Sequence, residues 1–250
     1  MLQSKEVQDA IHPTARDSVV ETFQRSSLAD FELLKGIDPR ELASIEQASR
    51  CRRFSADEQI IDKDSMSSDV YFVLRGRARV VNYSMSGREI TFADLHPGDY
   101  FGELSAIDGK PRCTGVMAVE ESAVLSLPRR VFLDLLVDHP EIALKVLHRL
   151  AHIVRSANER IMDLSTLAAH NRVQAELLRQ AQIHRSLRNT ALIEPIPTHS
   201  EIASRVSTTR ETVARVLNDL ARKGIVERTR SALVICNVHQ LQSMVEEVRG

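Results

Sequence analysis

The sequence is poor in cysteine, the residue that forms covalent cross-links, and lacks tryptophan: among 250 residues there are 3 cysteines. Cys51, Cys113 and Cys236 are odd in number and far apart, which encodes neither a disulfide framework nor a zinc knuckle and leaves ordinary thiols. No apolar run approaches the roughly 18 residues that suggest a membrane span. The polar amino terminus also lacks the charged-then-apolar layout of a signal peptide, so a soluble, cytoplasmic protein is expected. No nucleophile with a base, and no set of metal ligands, presents itself for catalysis. His148 and His152 are four apart but have no third ligand, and are read as exposed surface residues; an enzyme is not expected. An overall excess of charge is missing too, the formal net charge being −1. Divided, the chain is less neutral. From residue 170 onward 12 Lys and Arg stand against 8 Asp and Glu, so a phosphate-bearing partner is placed at the carboxyl end.

What is present is enough apolar material, 43% of residues, to bury a sizeable core in one or two domains. Residues 1–27 carry polar clusters and no sustained period, and read as a mobile extension with at most one short helix. Phe31, Leu33, Leu34 and Ile37, then Pro39 and the stretch 41–45, predict two short helices. Between Cys51 and Leu127 the pattern changes to short β-branched or alternating runs at 60–61, 70–74, 78–83, 90–95 and 116–127, punctuated by Gly76, Gly87 and Gly98. These predict a small antiparallel roll or sandwich. A long helix then opens on Pro140, and Leu147, Leu150, Val154, Ala157, Ile161, Leu164 and Ala168 recur at steps of three and four. That seam favours a parallel two-fold dimer over packing within one domain.

The stretch 101–115 organises the rest. Gly102, Glu103 and Leu104 are followed by a short turn and by Pro111, Arg112 and Cys113. A glycine allows close approach of the backbone, a guanidinium binds a phosphodiester, and a carboxylate accepts from a ribose hydroxyl. The alternative is an ion pair between Glu103 and Arg112 in a ligand-free loop. The run resembles the phosphate-binding cassette of cyclic-nucleotide-binding domains, in the pattern Gly-Glu-Leu-x-Ala, short linker, Pro-Arg. The resemblance implies Arg112 on the phosphate, Glu103 on the 2'-hydroxyl, and Gly102, Leu104 and Cys113 lining the cradle. It also places Asn158, beside the seam, at a base-contacting position. Where the best-known cyclic AMP receptor proteins have Thr-Ser this chain has Ala157 and Asn158. An asparagine amide serves adenine or guanine, so cyclic AMP is the first choice of ligand and cyclic GMP the second.

Further on, 185–197 reads as a connector, and Thr198 with Glu201 has capping-box spacing for a short helix carrying Ile202, Ala203 and Val206. A turn at Ser207 and Thr208 leads to a second helix over 209–223, stopped by Gly224, and 225–237 supplies a β wing. Ser207 stands where such turns often carry glycine. The run from Thr209 to Arg215 resembles the recognition helix of cyclic AMP receptor proteins, in the pattern Arg-Glu-Thr-Val-x-Arg. Arginine can donate to guanine and glutamate can accept from cytosine, so the resemblance implies that Arg210, Glu211 and Arg215 read bases of palindromic TGTGA-like sites. Arg205, Thr209, Arg222, Lys223, Arg228 and Arg230 are expected on phosphates. A cap or an exposed ion pair with Arg215 are the competing readings of Glu211.

With these two motifs in order, the chain resembles the cyclic AMP receptor/fumarate-nitrate regulator (CRP/FNR) family. The implied α+β architecture is an antiparallel β-roll cyclic-nucleotide-binding domain over 28–138, a dimerisation helix over 139–168 and a winged helix-turn-helix DNA-binding domain over 169–250. The implied partners are double-stranded DNA, a second copy of the chain and RNA polymerase, with 183–190 a candidate for the last. The isolated cysteines do not suit an iron–sulfur relative. A regulator with a vestigial ligand loop is the remaining alternative.

Overall fold

The short alternating runs between Arg50 and Leu127 form eight strands in the computed structural model, which describes residues 28–181 and 189–249. The amino-terminal extension, and all but the last two residues of the 183–190 polymerase candidate, lie outside the described residues. The strands are β1 (Arg50–Phe54), β2 (Gln59–Ile61), β3 (Val70–Arg75), β4 (Ala78–Tyr83), β5 (Glu89–Leu95), β6 (Tyr100–Phe101), β7 (Gly115–Ala118) and β8 (Ser122–Leu127). They make two antiparallel four-stranded sheets, β1-β8-β3-β6 and β2-β7-β4-β5. The single run expected over 116–127 is therefore two strands, and they belong to different sheets.

Alternation puts Phe54, Ile61, Val73, Leu95, Val116 and Val124 into one core cluster of the roll. On the other side of β3 a second cluster forms around Phe72, where Phe31 meets the Phe72 ring edge-on with centroids 5.1 Å apart. Two 3-10 turns, Leu28–Asp30 and Glu32–Leu34, and helix α1 (Pro39–Ala48) cover this side. Helix α2 (Glu103–Asp108) lies within the organising loop. Helix α3 (Arg129–Asp138) was not expected from the sequence; it buries Phe132 and Leu135 in the same cluster.

Helix α4 (Pro140–Thr166) has proline in its first turn, as expected, and it buries Ile142 and Val146. The seam residues Leu147, Val154, Ile161 and Leu164 remain exposed, whereas Leu150 is partly buried against the outer cluster. The helix is shorter than the seam predicts, and Ala168 falls beyond it. Ser165 and Thr166 donate their hydroxyls to the carbonyls of Ile161 and Met162, both at 2.8 Å. Leu167 then turns extended and buries its side chain in the next core.

That core is built by α5 (Ala169–Ala181), β9 (Ala191–Ile193), α6 (His199–Arg205), α7 (Arg210–Arg222), β10 (Val226–Arg228), β11 (Leu233–Ile235) and α8 (Val238–Arg249). The expected connector thus contains β9, which pairs with β11 to complete a three-stranded sheet β10-β11-β9. Helix α8 was not foreseen; it contributes Leu241 and Val245 to the core.

Candidate functional site

Burial and backbone geometry bring the organising loop together at its three key positions. Gly102 has φ +89°, and a Cβ there would stand 2.6 Å from Arg112 Nη1 and 2.9 Å from the Asp69 carbonyl oxygen. Glycine is required by conformation and by the approach of Arg112 itself. The Arg112 side chain turns inward, with the residue 3% exposed. It donates from Nη1 to the Gly102 carbonyl at 2.7 Å, from Nη2 to the Asp69 carbonyl at 2.6 Å and from Nε to Ser67 Oγ at 3.0 Å. Burial lowers its pKa, with Tyr71, Asp69 and Glu103 opposing that shift.

Glu103 is 6% exposed and begins α2. Burial pushes its carboxyl up, and its own backbone amide, Arg149 and Arg112 pull it partly back. Glu103 and Arg112 make no ion pair among the described residues, so the alternative of a closed acid–base pair does not describe this loop. Leu104 and Cys113 are exposed at its rim, and Asn82 Nδ2 on β4 donates to the Cys113 carbonyl at 3.4 Å.

Asn158 lies exposed on α4 beside the seam. The helix is tied to the loop by a residue the sequence did not single out. Arg149 donates to the Tyr100 carbonyl at 2.6 Å and stacks 4.2 Å from the Tyr100 ring centroid, just before Gly102. Arg160, also on α4, donates to the Phe92 carbonyl of β5 at 2.5 Å.

At the carboxyl end the capping box is complete: Thr198 Oγ1 accepts from Glu201 N at 3.2 Å, and Glu201 Oε2 accepts from Thr198 N at 2.7 Å. Ser207 takes φ +52° in the turn, the left-handed conformation that explains why glycine suits this place. Arg172 supports it, donating to the carbonyls of Val206 at 2.9 Å and Ser207 at 3.2 Å, and to Leu167 at 2.8 Å. Nothing in the local pattern marks Arg172. The second helix is capped by Thr209, whose Oγ1 accepts from Thr212 N at 3.3 Å. Its far end closes through Gly224 N to Ala221 O at 3.0 Å and Ile225 N to Leu220 O at 2.9 Å, with both Ile225 and Leu220 buried.

Val213, Val216 and Leu220 face the core, while Thr209, Arg210, Glu211 and Arg215 are exposed on the other side. Glu211 is held below the usual carboxylate range by its backbone amide and Thr209, with Arg210 and Arg215 adding to the effect. Arg215 Nε points to the Glu211 carbonyl at 3.4 Å. Arg222, Lys223, Arg228 and Arg230 are exposed as well, and the first two share Asp219. Arg205 is placed differently from the sequence reading. Its guanidinium is used by Asp94 of the roll and lies 3.7 Å from Glu176.

Among the described residues no three His, Cys, Asp or Glu side chains gather as a metal site, and no helix is long and apolar enough to cross a membrane.

Two family models match the chain, a cyclic nucleotide-binding domain over residues 51–139 and a Crp-like helix-turn-helix domain over 171–244. The chain is 32% identical over 194 residues to the cyclic AMP receptor protein of Thermus thermophilus, spanning 78% of this chain and 87% of that one. It is 27% identical over 215 residues to a CRP-like cAMP-activated global transcriptional regulator of Mycobacterium tuberculosis, spanning 86% and 96%. In fold it is similar to a CooA variant from Carboxydothermus hydrogenoformans, with a TM-score of 0.74 at 24% identity over 86% of this chain and 94% of that one. The matched regulators are transcription factors and not enzymes. With both domain models matched in order and a relative 32% identical over 78% of the chain, the chain belongs to the CRP/FNR family of transcription regulators.

Proposed function

We propose that this regulator is a homodimer that binds a cyclic purine nucleotide, cyclic AMP first and cyclic GMP second, and thereby binds palindromic DNA with TGTGA-like half-sites. In this reading Arg112 holds the ring phosphate and Glu103 the ribose 2'-hydroxyl, with Gly102, Leu104 and Cys113 around them and Asn158 at the base. Arg210, Glu211 and Arg215 read base edges. Thr209, Arg222, Lys223, Arg228 and Arg230 meet phosphates. The protein works in the cytoplasm with RNA polymerase as a partner.

The observation that carries this reading is the pair of opposite charges buried in one loop without being joined to each other. Burying a carboxylate and a guanidinium costs stability, and a degenerate loop would close them into a salt bridge or lose them. Loss of the carboxylate's hydration is offset when a ligand supplies a hydroxyl donor there. Cyclic AMP leads because the relatives above are named for it. Cyclic GMP follows because the Asn158 amide offers both donor and acceptor. The second copy is supported by the exposed apolar seam on α4, where Leu147, Val154 and Ile161 are each about 60% exposed.

Calorimetric titration of the wild type with each nucleotide, repeated with Arg112→Leu, tests the sensor. Binding of one nucleotide by the wild type and its loss in a folded variant are expected. Unchanged affinity would remove Arg112 from the site, and a wild type that binds neither would make this a regulator with another trigger.

A further inference from the structure

The β4–β5 edge of the roll carries a set of polar groups that neither nucleotide nor DNA recognition uses, and the reader domain sits on it. Arg79 Nε donates to Asp94 Oδ1 at 2.6 Å and its Nη2 to Glu201 Oε1 at 2.6 Å, so one guanidinium joins the roll to α6. Arg205 closes the same group from the reader side through Asp94. Beside them Thr91 Oγ1 and Ser204 Oγ lie 2.8 Å apart, and Arg88 donates to the carbonyl of Thr208 in the helix-turn-helix turn.

Charges in this cluster are little exposed, and Glu176 is shared with Arg179, which also pairs with Asp163. Arg77, Arg79 and Arg205 face Asp94, Glu176 and Glu201, and Glu201 lies 3.7 Å from Arg77. Burial opposes the charge on Glu201, but the hydrogen bonds from Arg79 and Thr198 outweigh it and leave the carboxyl at about 2. Against well-packed apolar residues such a cluster gains little net stability; its directional bonds instead favour one arrangement of the groups that make it.

Two further contacts connect this edge to the sensor. Asn82 on β4 holds the carbonyl of Cys113, and Arg160 on α4, two residues past Asn158, holds the carbonyl of Phe92 on β5. In the docked arrangement Arg210, Glu211 and Arg215 stay exposed, Arg210 and Glu211 at the rim of a cleft that they share with Arg79, Arg88 and Glu89 of the roll.

We propose that the Arg79–Asp94–Glu201 cluster, with Arg88 on Thr208, is a positioning clamp that fixes the reader on its own roll in the pose that binds DNA. Strands β4 and β5 carry the state of the nucleotide loop and of α4 to that clamp. This rests on the sensor and reader roles proposed above. The residues are positioning residues, because none of them is assigned to ligand or base.

Two full-length variants test it: Arg88→Ala at an exposed position, and Arg79→Gln combined with Asp94→Asn, which removes one charge of each sign and leaves Arg205 with Glu176 and Glu201 with Arg77. Cyclic nucleotide affinity by calorimetry is expected to stay within about twofold. Affinity for a duplex with two TGTGA half-sites, at saturating nucleotide, is expected to fall by about fivefold or more, the lower end of typical coupling between sites. Amide exchange over 199–205 is expected to quicken while that over 103–108 does not change. Unchanged DNA affinity, or tighter binding because the clamp held the reader back, overturns the proposal. If the double variant does not fold, Arg88→Ala decides alone. If the wild type itself ignores both nucleotides or this duplex, the proposed function fails, and the exchange comparison still reports whether the clamp holds the domains together.

Discussion

Glu103 is the residue at which the fold and the proposed ligand site meet. Its pKa is raised mainly by burial, so the folded, ligand-free protein favours the protonated carboxyl more than the unfolded chain does. For an acid shifted upward, stability is lost as pH rises from the ordinary carboxylate range through the folded value, and at neutral pH the ionised group is a standing cost. Glu103→Gln is therefore expected to raise the melting temperature of the ligand-free protein at pH 7 and to lose that advantage on acidification below pH 4. The same variant is expected to weaken cyclic nucleotide binding about 10- to 100-fold, the worth of a hydrogen bond to a charged group. Melting curves at the two pH values and a calorimetric titration check both halves; a less stable variant would mean that Glu103 supports the loop and does not serve the ligand. At this scale Gly102, Glu103 and Arg112 were legible because their identities and spacing carry the chemistry together. Arg149 and Arg172 were not, because each acts on a carbonyl distant in sequence or on a turn, and the Arg149 contact spans 49 positions.

At the scale of elements, the long helix records two demands in one sequence. Ile142 and Val146 bury against the roll, and the seam through Leu147, Val154 and Ile161 points away from it. The period was readable because step lengths of three and four survive any choice of partner. The end of the helix was not, since no Gly or Pro marks it; hydroxyls at Ser165 and Thr166 and the burial of Leu167 in the reader core decide it. Strand β9 was hidden for a related reason. Three residues followed by Pro195 and Pro197 read as a connector until β11 pairs with them. If the seam is a dimer interface, two arginines at its centre desolvate badly and repel across the two-fold axis. Val154→Arg with Ile161→Arg is expected to give a folded protein of single-chain mass in analytical ultracentrifugation, with far-UV dichroism unchanged. A dimer that persists would move the interface elsewhere.

Over the whole molecule, the order of parts sets which states can be linked. Strand β6, which leads into the proposed nucleotide loop, contacts α4 through Arg149, α4 contacts β5 through Arg160, and β5 contacts α6 through Asp94 and Thr91. A ligand enclosed at the start of this chain of contacts can favour the DNA-binding form only by its differential affinity for that form. Linkage then requires a symmetric result. If saturating nucleotide tightens the duplex by some factor, saturating duplex must tighten the nucleotide by the same factor, typically about 5- to 150-fold. Nucleotide titrations with and without the TGTGA duplex, beside duplex titrations with and without nucleotide, are expected to give equal ratios. In Arg88→Ala both ratios are expected to shrink together, because the contact from the roll to Thr208 is lost while Arg112, Glu103 and the reading residues are untouched. A variant that weakened DNA binding to the same extent with and without nucleotide would mark Arg88 as a contributor to the DNA surface and would break the proposed route from loop to reader at its last step.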